Sequence, residues 1–124
     1  MNMRKIYLLG NPLVDADSLP LKIAKSLQKE FPAIEFAEFD PTEDLPEEMI
    51  AIDTVIGIDK VKVIDNIDDV INGKIYSLHD FDIGFNLKLM KKLGRMKNVK
   101  IIGIPAGLTE DEAVSKVSEK IRSL

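Results

Sequence analysis

"DTVIGIDKVKVID", residues 53–65, carries two kinds of strand pattern side by side. "DTVIGID" is a nearly continuous apolar run closed by Asp59. A run of that kind suits a strand buried on both faces, as in a parallel sheet covered by helices. "KVKVID" alternates lysine with valine, which suits a strand with one face in water, antiparallel and near an edge.

Working outward, the same grammar repeats. "RKIYLLG" is a short apolar run ended by Gly10, and "NVKIIGIP" is another near the end of the chain. "AIEFAEFD" predicts a strand between them. Leu19, Ile23, Leu27 and Phe31 recur at helical spacing, with Ser18 as a cap, Pro20 in the first turn and Pro32 as the stop. Asp44 and Glu47 suggest a capping box for a short helix. Asn72-Gly73 marks a turn before a short strand leading into His79. Ile83, Leu87, Met90 and Leu93 outline a further helix that Gly94 ends. Thr109 and Glu112 form a second capping box, and Ala113, Val117, Ile121 and Leu124 give the last helix its apolar stripe. Strands alternating with helices predict an α/β fold: three α-β-α layers around a mainly parallel sheet with one antiparallel edge strand. The 124 residues suffice for one domain spanning 1–124.

Composition narrows the chemistry. The net charge is −4, so a nucleic-acid partner is not expected. There is no cysteine, which excludes disulfides, zinc-thiolate sites and thiol nucleophiles. No segment is long and apolar enough to span a membrane, and Ile6 to Leu9 is too short for a signal peptide. A soluble, cytoplasmic protein without membrane insertion is expected.

Ligands of open α/β sheets bind outside the carboxyl ends of the strands. The polar residues following the strands are Asn11, Asp15 and Asp17, then Asp40, Thr42 and Glu43, then Asp59, then Ser77 and His79. Two carboxylates and the chain's only imidazole could meet there and hold a divalent metal, leaving coordination positions open. The competing reading has Asp17 and Asp59 capping backbone amides and His79 as a hydrogen-bonding surface residue. No GxGxxG, phosphate loop or GxSxG elbow is present. Neither an elbow nor a second histidine supports a serine triad.

Three segments carry a family resemblance: "LLGNPLVDAD", "TVIGIDKV" and "SLHDFDIGFNLKLMKKLG", followed by the strand "VKIIGIP". In this order they resemble the hydrogenase maturation proteases, endopeptidases that trim the large subunit of nickel-iron hydrogenases. The resemblance implies an aspartyl-type hydrolase that removes the C-terminal extension of the large-subunit precursor after nickel insertion. By the same resemblance, Asp17, Asp59 and His79 are both the metal ligands and the catalytic set. The nickel is supplied by the precursor and no organic cofactor is needed. A monomer is expected. The chain departs from the family pattern at Ala16, at Ser18-Leu19-Pro20 and in the glycine-free "DPTEDLP". Two alternatives stand beside this reading. One is a non-cleaving nickel-binding or chaperone-like relative in hydrogenase assembly. The other is a phosphoacceptor receiver domain, which would need a lysine at the end of the last strand where "IIGIPAG" has none.

Overall fold

The computed structural model describes residues 4–9, 19–38, 48–64, 76–77 and 98–124. In chain order these form β1 (Arg4–Leu8), α1 (Leu19–Glu30), β2 (Ile34–Glu38), β3 (Glu48–Ile56), β4 (Lys62–Ile64), β5 (Tyr76–Ser77), β6 (Asn98–Pro105) and α2 (Glu110–Ser123). The sheet order is β2-β1-β3-β6-β4, with β5 added to β3. β1, β2, β3 and β6 are mutually parallel along this path. β4 closes one edge antiparallel to β6, as the Lys-Val alternation predicts. β5 adds a second antiparallel pairing, of two residues, against the end of β3.

The helix-bearing face of the sheet is built from alternate residues. Ile6 and Leu8 of β1, Ile52 of β3, and Ile102 and Ile104 of β6 pack with Leu19, Ile23 and Leu27 of α1 and with Ala113, Val117 and Ile121 of α2. These are the helical positions that the 3.6-residue spacing marks, so burying one stripe per helix accounts for this layer. Thr109 caps α2: its hydroxyl oxygen accepts from the Glu112 amide at 3.2 Å and its hydroxyl donates to the Glu112 carboxylate at 2.9 Å. At the far ends of the helices Arg122 of α2 pairs with Glu30 of α1 and lies over the Phe31 ring.

The opposite face is buried too. Tyr7, Met49, Ala51, Asp53, Val55 and Ile101 are all nearly inaccessible. A sheet covered on both faces is what continuous apolar strands require. The helix expected over Ile83–Leu93, which would supply the third layer, lies outside the described residues, as does the Asp44–Glu47 capping box.

β3 differs from its sequence reading at both ends. It begins at Glu48 rather than Asp53 and ends at Ile56 rather than Asp59. Gly57 sets the end, because its φ of 97° lies in the left-handed region and turns the chain out of the strand. The start is set by tertiary burial. Met49, Ala51 and Ile52 are needed in the core, and β6 supplies partners for every residue from Glu48 to Val55.

Candidate functional site

β1 and β2 are parallel neighbours joined through α1, so α1 must begin over the carboxyl end of β1 and return the chain to the other end. Leu19, the first residue of α1, is buried there. β1 leaves β3 at Leu9, whose amide donates to the Ile52 carbonyl at 2.8 Å. Further along, Val55 of β3 pairs with Pro105 of β6 on one side. A strand has only two edges, so β5, whose Ser77 pairs with the same Val55, takes the edge that β1 has vacated. The carboxyl end of β1, the start of α1, the end of β3 and β5 thus gather at one end of the sheet.

Of the three expected site residues, Asp59 is described. It lies three residues beyond β3, in the bend that Gly57 initiates, and is exposed. Asp17 and His79 lie outside the described residues. Their chain neighbours are placed at the site: Leu19 follows Asp17 by two positions, and Ser77 precedes His79 by two. Among the described residues no three acidic or imidazole side chains gather closely enough to hold a metal ion.

The acid that the sequence reading passed over is Asp53. It is only 2% exposed, within β3, on the face turned away from α1 and α2. Its partner on β6 is Gly103, and the Leu9 amide bond to Ile52 continues the β1 register so that Leu9 flanks it on the other side. Gly103 has no side chain, and the space above it is filled by Val55, Ile58 and Ile64. Those neighbours are apolar, and Lys62 pairs with Gly103 on the same face of the sheet. An ionised carboxylate kept in such a place is costly unless it meets donors or a cation, and Asp53 does have an interaction partner. A signal was present in the sequence. With β3 starting at Glu48, "MIAID" is itself an apolar run closed by an aspartate, as "TVIGID" is.

Ile58 links the two acids. Its δ methyl reaches the Gly103 position, so it anchors the bend between the strand end and Asp59 onto the same face that holds Asp53. One carboxylate stands behind the rim and one on it, six positions apart in the chain.

No family model matches the chain, and no curated protein matches it. Two solved structures share its architecture. The crystal structure of an uncharacterized protein from Wolinella succinogenes superposes with a TM-score of 0.57 at 13% identity, covering 98% of this chain and 99% of that one. The solution structure of an endopeptidase from Escherichia coli also gives a TM-score of 0.57, at 14% identity, covering 98% of this chain and 91% of that one. The chain therefore shares its fold, over nearly its whole length, with a protein described as an endopeptidase. Among the described residues no helix is long and apolar enough to cross a membrane.

Proposed function

We propose that the chain is an endopeptidase that removes the C-terminal extension of a nickel-iron hydrogenase large-subunit precursor once nickel is in place. The observation that carries this reading is the gathering of the carboxyl end of β1, the start of α1 and the end of β3, with Asp59 exposed just beyond it, at one end of the sheet. The short strand that leads into "SLH" is joined to the end of β3 there. The fold shared with an endopeptidase over 98% of the chain supports the same reading.

In this proposal Asp17, Asp59 and His79 contact nickel that the precursor brings. Asp59 is exposed on the bend beyond β3, where a precursor can reach it, whereas Asp53 is 2% exposed within the strand. Two carboxylates and an imidazole without thiolate leave the metal's remaining positions to the precursor's own ligands. Docking then tests whether the metal is present. The peptide bond beyond the metal site is held for attack by water, activated by the metal or by a carboxylate that is not committed to it.

The test is incubation with a nickel-loaded precursor and mass analysis of its C-terminus. The expected result is a shortened product from the loaded precursor and none from the nickel-free one. His79→Ala and Asp59→Asn should slow trimming by about 100-fold or more, since misplacing the peptide by an ångström has effects of that size. Trimming at the native rate by a folded Asp59→Asn would remove Asp59 from the ligand set. A loaded precursor that is bound but left uncut by the native chain would sink the endopeptidase reading and favour the non-cleaving relative.

A further inference from the structure

The end of the sheet order leaves β2 with a strand partner on one side only, β1, among the described residues. An edge strand of this kind exposes a row of amides and carbonyls that another chain can pair with. The outer edge of β2 is occupied instead by a side chain. The Gln28 amide nitrogen donates to the Ile34 carbonyl at 2.7 Å and to the Phe31 carbonyl at 3.3 Å. The Gln28 amide oxygen accepts from the Phe36 amide at 3.4 Å. The Ile34 amide is used as well, donating to the Phe31 carbonyl at 3.1 Å.

This arrangement has the geometry of a ladder. In a parallel pair, one residue of the neighbouring strand donates to the carbonyl of one residue and accepts from the amide two positions further on. The carboxamide of Gln28 does the same to Ile34 and Phe36. It stands where the peptide groups of one residue of an added strand would stand.

We infer that Gln28 is an edge guard: its carboxamide, bonded to Ile34 and Phe36, closes the outer edge of β2 against pairing with a second copy of this chain. The competing occupant is a second copy: β2 from two molecules meets as equals, antiparallel and edge to edge about a twofold axis, and that ladder needs the Phe36 amide that Gln28 holds. Alternation along β2 directs the Glu38 amide to the same outer edge as the Phe36 amide, so a longer ladder is available once the guard is removed.

The experiment, with no ligand added, is sedimentation equilibrium of the native chain, Gln28→Ala and the double variant Gln28→Ala/Glu38→Pro, each checked by thermal melt. Gln28→Asn, whose shorter amide cannot span the same groups, serves in place of the alanine variant if that one does not fold. Self-association of Gln28→Ala should tighten by about tenfold or more over the native chain, from the loss of two competing amide bonds. Glu38→Pro removes an outward amide without touching the pairing to β1, so it should return association to the native level. A purely structural role for Gln28 would lower the melting temperature and leave association unchanged. Unchanged association in a folded Gln28→Ala, or tightened association that Glu38→Pro does not reverse, would overturn the inference.

Discussion

Gly103→Ala tests how the candidate site is held. The added Cβ would lie 3.0 Å from Val55 Cγ2, 3.1 Å from Ile58 Cδ1 and 3.1 Å from Ile64 Cδ1. Carbon atoms in good contact stand roughly 3.5–4.0 Å apart, so all three neighbours must give way. The Ile58 and Ile64 methyls can swing aside by rotation. The Val55 methyl is held by a β-branched side chain on the central strand and yields less. Overpacking of this kind costs about 1–3 kcal/mol. Loss of glycine's freedom in the unfolded chain offsets about 0.4–1 kcal/mol of that. The net expectation is a loss of about 1–2 kcal/mol, which lowers the melting temperature by about 4–8 °C in a chain of this size. Thermal and urea melts measure it. Ile58→Val in the Gly103→Ala background removes one of the three conflicting methyls and should recover part of the loss. Because Ile58 anchors the bend that carries Asp59, the displaced side chain should also shift backbone resonances from Gly57 to Lys60. Gly103→Ala melting at or above the native temperature would refute the packing account. So would a loss that Ile58→Val leaves unchanged.

Two further substitutions probe the helix-bearing layer. Thr54 is fully buried and its hydroxyl has no hydrogen-bond partner among the described residues. Thr54→Val should therefore stabilise the fold by about 1 kcal/mol, read as a higher urea midpoint at unchanged slope; a lower midpoint would mean that the hydroxyl is satisfied. Thr109→Ala removes the cap of α2 and should cost about 1 kcal/mol in the same melt; an unchanged midpoint would show that water replaces the cap at no loss.

Elements whose evidence is local were legible in the sequence. α1 follows from Leu19, Ile23 and Leu27, all buried, and stops at Glu30, two positions before Pro32. The Thr109–Glu112 box predicts the start of α2. The valines of "KVKVID" mark β4, with Val61 and Val63 turned to the helix-bearing face as alternation requires. β3 was legible in kind and misplaced in extent, and the reason is physical. Glu47 and Glu48 precede its apolar run and Asp53 interrupts it, and acidic residues are poor strand formers. Their local preference is overridden because β1 and β6 pair with this segment from both sides. That override moves the strand end. A strand read as Asp53–Asp59 ends at an aspartate, whereas a strand running Glu48–Ile56 leaves Asp59 out on the bend that Gly57 starts and buries Asp53 at 2% exposure. Burying a carboxylate lowers stability unless something repays it, and Asp53 does have an interaction partner there. Local sequence preference reports what a residue tolerates, and Asp53 stands where preference alone would not put it.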